Sequence, residues 1–451
     1  MQTASAYGRD GDDLFQGSDA NNYFWPGNGN DTVYATAGSD WIDARFDEPA
    51  NLDKFHGQDG NDYIYGGAGA EFIDGGDGID FIDAGAGNDV IRGGNGNDQI
   101  IKIGLGTFNI LGDAGDDKIQ VVSADSGTID GGPGNDRIEV SGLIGGVSIY
   151  AMSGDDVVQF DDIKYGSYAF LGDGSNQFSG VNVSNLKITA SSGNDTVTLR
   201  SSKDITIDLG SGNNNVDLID CENITVITGS GGSNFKVKSS KNITLKAGRG
   251  SDYFNVDAAS FKTGTIKLDG GYMYNTDPEK NGGERNKLTI DSLEASDKLI
   301  FNDDSFSNFS DLFFDHTVRA NLTFESQSFF GLYRNSYSGV NFFTPSSRSM
   351  DIHNLNDKKI ARLQSEILFM QGTKPFNPVP VGYIGTMYAG SWYSSNNDNR
   401  LVFVHGSSYN TQTSIGFGDV TENIFDPYSN FGGMNTVVDE VAGNLKVSWI
   451  R

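Results

Sequence analysis

The sequence predicts an all-β protein built as a parallel β-solenoid, in which each coil of the chain stacks on the one before it. A nine-residue unit recurs in two contiguous runs, with Gly at position 4, Asp at position 6 and an apolar residue at position 8. Further along, the position-4 glycine returns every 19 or 20 residues, followed by the same apolar position. Self-similarity at a short fixed period is typical of solenoids, because each unit buries its apolar residue only against its neighbours.

The nine-residue units occupy residues 8–43 and 57–101. The first run has four units, of which the second is degenerate, with Ala20 and Asn22 at the Gly and Asp positions. The second run has five units, including the contiguous triplet GGDGIDFID AGAGNDVIR GGNGNDQII. Thirteen residues between the runs, 44–56, do not follow the pattern. The two runs therefore predict one coiled domain with a single insertion.

The repeat becomes longer after residue 101. The position-4 glycine is then found at Gly115, Gly134, Gly154, Gly174, Gly193, Gly212, Gly231 and Gly250. A spacing of 19 or 20 residues is about two units, which predicts one coil per repeat, with two strands and two turns, of which one keeps the Gly-Asp chemistry. We therefore expect a first domain at 1–101 and a continued solenoid at 102–271.

The remaining residues, 272–451, lack the period. Residues 288–303 read as strands that would close the open end of the solenoid, since an end coil exposes unpaired strand edges. Residues 356–372 have the apolar spacing of one short amphipathic helix. Short aromatic-rich segments with Asn, Ser and Gly turns follow. The sequence thus predicts a cap and a β-rich C-terminal domain that serves assembly and secretion.

The charge of the chain points to cations. The formal net charge is −28, from 60 acidic and 32 basic residues, which argues against a nucleic-acid partner. Many of the acids recur at fixed turn positions, as expected of a protein that binds cations. Cys221 is the sole cysteine, so no intrachain disulfide forms. No apolar run reaches the ~18 residues of a membrane span, so none is expected.

The Gly-Asp turn suits a hard cation. Glycine allows backbone conformations that turn carbonyls inward, and Asp adds a carboxylate. Successive turns stack about 4.8 Å apart, so oxygens of neighbouring turns enclose an ion. Calcium takes about 6–8 oxygen ligands, whereas magnesium needs tighter octahedra and zinc prefers His or Cys. Several calcium ions are predicted, with the ligands Asp13, Asp31, Asp40, Asp62, Asp80, Asp89, Asp98, Asp117, Asp136, Asp156, Asp195 and Asp252.

This repeat resembles the RTX, or hemolysin-type, calcium-binding repeat family, very closely over 8–101 and in modified form over 112–257. The resemblance implies a β-roll that folds outside the cell, where calcium is abundant. It also implies type I secretion with an uncleaved C-terminal signal. The start MQTASAYGRDGDD has no cleavable-signal pattern, and the tail VAGNLKVSWIR is compatible with such a signal. The expected location is extracellular, at a bacterial cell surface.

No catalytic motif was found, so no catalytic residue is predicted. None of the four histidines is followed by Glu in an HExxH pattern, and neither a GxSxG elbow nor a Walker GK[ST] motif occurs. Only 272–451 would leave room for catalysis, and His405 there is interpreted as an ordinary strand-end residue. The chain is therefore expected not to be an enzyme.

The predicted function is that of a calcium-binding structural protein that folds on calcium and self-assembles into a surface layer, sheath, matrix or filament. Its main partner is then other copies of itself, with cell-surface polysaccharide as a second candidate. The alternative is an adhesin whose end domain grips a glycan. A secreted enzyme that acts on polysaccharide or lipid is a third reading.

Overall fold

The computed structural model describes a chain of two compact units, Met1–Asn215 and Val216–Arg451. The described residues are 4–46, 51–271, 286–292, 298–301, 305–307, 309, 311–314, 321–325, 341–343, 349–353, 386–391, 400–406, 413–416, 435–441 and 444–450.

The first unit consists of short strands joined by tight turns. Its strands are β1 (Ala4–Tyr7), β2 (Leu14–Gln16), β3 (Asn22–Trp25), β4 (Thr32–Tyr34), β5 (Trp41–Asp43), β6 (Lys54–Asp59), β7 (Tyr63–Gly67), β8 (Phe72–Asp77), β9 (Phe81–Gly85), β10 (Asp89–Asn95), β11 (Gln99–Ile103), β12 (Phe108–Ala114), β13 (Lys118–Val122), β14 (Gly127–Asp130), β15 (Arg137–Ser141), β16 (Val147–Tyr150), β17 (Val157–Asp161), β18 (Ser167–Phe170), β19 (Gln177–Val181), β20 (Ser184–Thr189), β21 (Thr196–Arg200) and β22 (Lys203–Asp208).

These strands form two parallel sheets, one from the odd-numbered and one from the even-numbered strands. Each coil contributes one strand to each sheet, and each strand pairs with its equivalent one coil away. Ile64 pairs with Ile82 and Ile100 with Ile119, which are separations of 18 and 19 residues. The predicted parallel β-solenoid is confirmed, and one coil corresponds to two nine-residue units or to one repeat of 19 or 20 residues.

The core is a thin layer between the two sheets. The position-8 residues of the odd-numbered sheet, such as Ile82 and Ile100, are fully buried, as are Ile73 and Ile91 of the other sheet. Burial alternates along each strand because successive side chains of a strand point to opposite faces. Each buried isoleucine contributes about 1.5–3 kcal/mol, so the stacked rows hold the coils together.

The second unit continues with strands of the same kind. Its elements are β23 (Asn215–Ile219), which starts at the last residue of the first unit, β24 (Glu222–Ile227), β25 (Asn234–Lys238), β26 (Lys241–Lys246), β27 (Tyr253–Asp257), α1 (Ala258–Thr263), β28 (Ile266–Asp269), β29 (Lys287–Asp291), β30 (Lys298–Phe301), β31 (Phe306–Ser307), β32 (Asp311–Phe314), β33 (Asn321–Glu325), β34 (Asn341–Phe343), β35 (Ser349–His353), β36 (Thr386–Ser391), β37 (Arg400–Gly406), β38 (Thr413–Gly416), β39 (Asn435–Val441) and β40 (Asn444–Ile450).

Parallel pairing persists further than the sequence indicated. Strand β29 pairs in parallel with β27 and with β32, so it adds a rung to the sheet and does not close its end. Antiparallel pairing appears only later, where β36 pairs with β34 and β37, and β40 with β35 and β39. Among the described residues, the C-terminal part is therefore β-rich, as predicted.

The helix of this structure is not the predicted one. The predicted helix, 356–372, lies outside the described residues. Within the described part of the chain, the α-helix is α1, whose N-cap Asp257 accepts a hydrogen bond from the backbone N–H of Ser260. A cap of this kind satisfies one of the otherwise unpaired donors of the first turn. This short helix lies in the connection between β27 and β28, and the glycine spacing does not reveal it.

Candidate metal sites at the Gly-Asp turns

The position-6 residues form two columns, one on each flank of the first unit. The long column precedes the odd-numbered strands and consists of Asn22, Asp40, Asp62, Asp80, Asp98, Asp117, Asp136, Asp156, Asn176, Asp195 and Asn214. The short column precedes β2, β4, β6, β8 and β10 and consists of Asp13, Asp31, Asp53, Glu71 and Asp89. Because each residue stands directly before a strand of the stack or is its first residue, coil registration alone brings the members of a column together.

One oxygen of each long-column carboxylate is held by the backbone. The Oδ1 atom accepts a hydrogen bond from the backbone N–H of the column residue one coil earlier, as between Asp80 Oδ1 and Asp62 at 2.8 Å. The same bond joins Asp98 to Asp80 and Asp117 to Asp98, each at 2.8 Å. In the short column, Asp31 Oδ1 accepts from Asp13 at 2.7 Å. The carboxylates are thus fixed in position by backbone donors.

The second oxygen of these carboxylates is buried without a hydrogen-bond partner in the described part of the chain. Oxygens of this kind are the Oδ2 atoms of Asp31, Asp40, Asp62, Asp80, Asp98, Asp117, Asp136, Asp156 and Asp195. An unpaired buried polar atom costs about 1–3 kcal/mol, and more when it is charged. A whole row of such oxygens is the arrangement expected of turns that bind cations.

Each Oδ2 atom lies beside the position-1 residue of its own turn. A methyl group built on Gly93 would lie 2.5 Å from Asp98 Oδ2 and 2.8 Å from the carbonyl oxygen of Gly112 in the next coil. Gly57 and Gly75 have the same surroundings. Glycine at position 1 thus lets a carboxylate oxygen and a carbonyl oxygen of neighbouring coils approach one another, as an all-oxygen cation site requires.

The position-5 side chains form a second ladder, which the sequence analysis missed. Asn61 Oδ1 accepts a hydrogen bond from the backbone N–H of Ile79 at 2.8 Å, and Asn97 Oδ1 accepts from Asp116 at 2.9 Å. These bonds run from the later coil to the earlier one, opposite to the bonds of the position-6 column. Exposed position-5 residues therefore join adjacent turns. Asp116 is one of them, since its Oδ1 accepts a hydrogen bond from the backbone N–H of Asn135.

Burial perturbs the position-6 carboxyls in the metal-free protein. Loss of hydration, together with the neighbouring carboxylates of Asp80 and Asp40, raises the pKa of Asp62 to about 8 despite the lowering effect of the backbone hydrogen bond. The same causes raise the pKa of Asp80 and of Asp117 to about 7. Carboxyls with raised pKa values resist ionisation, so a cation that keeps them ionised is favoured at this position.

Backbone carbonyls are needed to complete any site. No three His, Cys, Asp or Glu side chains of the described residues converge in a metal-binding cluster. Zinc, which takes four side-chain ligands of the His or Cys type in structural sites, does not fit such turns. Calcium accepts backbone carbonyls together with carboxylates, and this is the donor set that Gly93, Asp98 and Gly112 present.

From Asp40 onwards, the identity of position 1 changes with that of position 6 along the long column, whereas the earlier Asn22 turn keeps a glycine, Gly17. Glycine or alanine at position 1 accompanies Asp in the turns that begin at Gly75, Gly93 and Ala151. Leucine accompanies Asn instead, as Leu171 with Asn176 and Leu209 with Asn214. Both leucines are fully buried. These coils fill the turn with an apolar side chain and drop the buried charge, which supports the interpretation that their turns depend less on metal.

The predicted ligands fall into the two columns of the first unit, with one exception. Asp13, Asp31 and Asp89 lie in the short column, and the others up to Asp195 lie in the long column. Asp252 lies in the second unit, where its Oδ1 accepts from the backbone N–H of Ser233 at 2.7 Å. The structure positions these residues as stacked turn carboxyls, and their role as ligands remains a prediction.

Two members of the short column were not predicted. Asp53 lies in the supposed insertion, yet its Oδ1 accepts from the backbone N–H of Asp31 at 2.7 Å, so the end of the insertion is a turn of the solenoid. The signal was present, since Phe55 follows Asp53 at the spacing of position 8. Glu71 replaces Asp in the unit GGAGAEFID. Burial, reinforced by the nearby Asp89 carboxylate, raises the pKa of Glu71 to about 9.

Sequence comparison agrees with this geometry. The family model of the RTX calcium-binding nonapeptide repeat matches residues 7–44, 52–82, 66–100 and 123–142. The second of these segments includes Asp53. No curated protein and no solved structure matches the chain. No helix in the described part of the chain is long and apolar enough to span a membrane.

Repeats of this family bind calcium, and the proteins that carry them are generally secreted. Most of the stacked position-6 carboxyls lie in the matched segments, and Asp117, Asp156 and Asp195 lie outside them. With its parallel two-sheet coil, the N-terminal region of this chain carries copies of the RTX calcium-binding nonapeptide repeat.

Proposed function

We propose that this chain is an extracellular structural protein that folds on binding several calcium ions and then assembles with copies of itself at a bacterial cell surface. The observation that carries the proposal is the row of buried Oδ2 atoms in the long column that have no hydrogen-bond partner. Calcium would supply these oxygens with a counter-charge. The chemistry of the ion here is structural, since it joins neighbouring coils.

The turns of both columns would hold the ions. In the long column, each site draws on a position-6 carboxylate and on carbonyls of neighbouring turns, as Asp98 and Gly112 illustrate. In the unfolded chain these oxygens are far apart. Binding energy is therefore folding energy, and the roll forms only to the extent that calcium is present. A cell that keeps calcium low inside and meets it outside would fold this protein after export.

Assembly is the second part of the proposal, and it follows from charge. Because the formal net charge is −28, metal-free molecules repel one another. Calcium neutralises buried carboxylates and orders the coils, which creates a rigid surface. A head-to-tail contact between such surfaces propagates into sheets or fibres when it does not close. The absence of a nucleophile–base motif from the sequence favours a role of this kind over catalysis.

The experiment for this part uses the full chain. Calcium is added to dilute metal-free protein, light scattering is followed, and the product is imaged by electron microscopy. Ordered particles larger than the monomer are expected with calcium and not with magnesium at equal ionic strength. Protein that folds but stays monomeric across millimolar calcium and tens of micromolar chain would contradict assembly while leaving calcium-coupled folding intact.

A second candidate function rests on exposed aromatic residues. On the outer face of the odd-numbered sheet, Tyr7 stacks on Trp25 with ring centroids 4.4 Å apart, and Trp41 stacks on Tyr63 at 5.4 Å. Tyr7 and Tyr63 are 69 % and 47 % exposed. A row of exposed flat rings marks an interaction surface, and a cell-surface polysaccharide fits it. Loss of polysaccharide retention on Trp41→Ala, with calcium-bound folding unchanged, would favour this adhesin-like function.

A further inference from the structure

Lys102 is a fully buried lysine in the first unit. Its side chain is 0 % exposed, which is rare for this residue type, and Nζ lies 3.2 Å from Asp89 Oδ2, whose side chain is also 0 % exposed. The ammonium donates a hydrogen bond to the carbonyl oxygen of Gly85 at 2.8 Å. Asp89 Oδ1 accepts from the backbone N–H of Glu71 at 3.1 Å. Both oxygens of Asp89 are therefore engaged.

The position of Lys102 in the coil is that of position 1. Ile101 pairs with Asp83 and Lys102 pairs with Val121, so the inward column reads Ala84, Lys102, Val121 along successive coils. Before Lys102 this column holds small residues such as Ala84, and the next three coils after it hold the larger apolar residues Val121, Val140 and Phe160. Lys102 lies at the boundary between the small residues and the larger apolar residues of this column.

The short column of carboxyls ends at the same coil. Asp89 pairs with Phe108 in the next coil, so the position-6 place after Asp89 offers no side-chain oxygen. An ion between the turns at 84–89 and 102–108 would find the Asp89 carboxylate on one side only. In the long column, by contrast, Asp98 is followed by Asp117. The last turn of the short column thus has a buried carboxylate, Asp89, that needs a counter-charge, but it lacks a second position-6 carboxylate to help bind a calcium ion.

We propose that the ammonium of Lys102 is a built-in cation that replaces calcium at the last turn of the short column. It contacts the two kinds of oxygen that the calcium sites use, a position-6 Oδ2 and a turn carbonyl. A lysine brings a fixed positive charge and three donors, and it needs no carboxylate from the following coil. Lys102 therefore ends the metal column on this flank, and it takes the place of calcium beside Asp89, one of the predicted ligands. The coils from 102 onwards keep Gly-Asp turns on the other flank alone.

This inference rests on the proposed calcium binding, and its test separates the two. Calcium bound per chain is measured by equilibrium dialysis with metal analysis on the full-length protein, while circular dichroism monitors folding. Lys102→Ala frees Asp89 and opens the space of the ammonium, so it is expected to bind one more calcium ion per chain than the wild type. Lys118→Ala removes an exposed lysine of the next strand of the same sheet and should leave the number unchanged. Lys102→Ala combined with Asp89→Asn should return to the wild-type number.

A folded Lys102→Ala protein with the wild-type number of ions would overturn the inference. A wild type that binds no calcium would instead overturn the proposed function. Should Lys102→Ala not fold, anomalous scattering from wild-type crystals grown with calcium decides the question. Peaks are expected along the long column and none beside Asp89 Oδ2. A metal peak within bonding distance of Asp89 Oδ2 would overturn the proposal.

Discussion

Asp98 Oδ1 accepts the backbone N–H of Asp80 at 2.8 Å, while Oδ2 of the same Asp98 carboxylate is buried beside Gly93 with no hydrogen-bond partner. One oxygen is thus used by the coil and the other is left for a cation. The relationship repeats from turn to turn, so a change to one carboxyl tests the whole column.

Asp62→Asn tests that division of roles. The amide keeps an oxygen for the backbone N–H of Asp40 but replaces the free carboxylate oxygen with a donor. We expect the variant to bind less calcium and, with calcium present, to be less stable to unfolding by about 1–3 kcal/mol. Asp59→Asn is the matched control, because Asp59 lies in the same turn and is exposed. Equal losses in the two variants, measured by urea unfolding in calcium, would contradict the account.

The metal-free protein should become less stable as the pH rises. Burial raises the pKa of Asp62 from its ordinary value of 3.8 to about 8, and the pKa of Asp80 to about 7. The folded chain therefore holds protons that the unfolded chain releases, so this stability is fully present below about pH 4 and is lost as the pH rises through 6 to 8. Far-ultraviolet circular dichroism of the protein in chelator between pH 4 and 8 measures this trend, with the most β-structure expected at the acid end.

Calcium should reverse that dependence. Protons and calcium compete for the same carboxyls, so calcium affinity is expected to rise with pH over the range in which these groups ionise. Calcium titrations at pH 5.5 and 8 provide the measurement. Affinity that is equal at both values would indicate that the buried carboxyls are not ligands.

Gly93→Ala should damage its turn. The added methyl group would lie 2.5 Å from Asp98 Oδ2 and 2.8 Å from the Gly112 carbonyl oxygen, so the carboxylate or the next coil must shift. We expect a loss of about 1–3 kcal/mol in the free energy of unfolding and weaker calcium binding. Gly166→Ala is the control, since nothing lies within 4 Å of its added methyl group. A Gly93→Ala protein as stable as this control would show that the close approach of the two oxygens is unimportant.

Dependence on metal should differ along the first unit. In chelator, amides near Phe178, whose coil has Leu171 and Asn176 in its turn, should exchange more slowly than amides near Ile82 and Ile100. The reason is that an apolar side chain replaces the buried carboxylate in that turn. Hydrogen exchange followed by mass spectrometry measures this difference, and faster exchange near Phe178 would refute the interpretation of the neutral turns.

Much of this arrangement was predictable, because one coil of the structure equals two nine-residue units or one repeat of 19 or 20 residues. The spacing of Gly115, Gly134 and Gly154 predicted one coil per repeat, and the structure confirms it. The presence of two columns also follows, since consecutive nine-residue units place their position-6 residues on opposite flanks.

Other features depended on contacts that a motif cannot show. Asp53 was not recognised because its turn lacks the position-4 glycine and keeps only the position-6 acid and the apolar Phe55 at position 8. Lys102 appeared as an ordinary residue after the last repeat, and only the fold brings its ammonium to Asp89. The helix at Ala258–Thr263 is capped by the contact between Asp257 and Ser260. This contact does not recur in other coils, so the repeat pattern gives no sign of it.

The most direct test of calcium-coupled folding is far-ultraviolet circular dichroism of the full-length protein, first in chelator and then during titration with calcium. The account predicts that β-structure increases on addition of millimolar calcium, and that magnesium at the same concentration has little effect. The increase should be smaller in a variant in which Asp62, Asp80 and Asp98 are all changed to Asn. A spectrum that is the same in chelator and in calcium would contradict the central claim, because the stacked carboxyls would then fold without the ion.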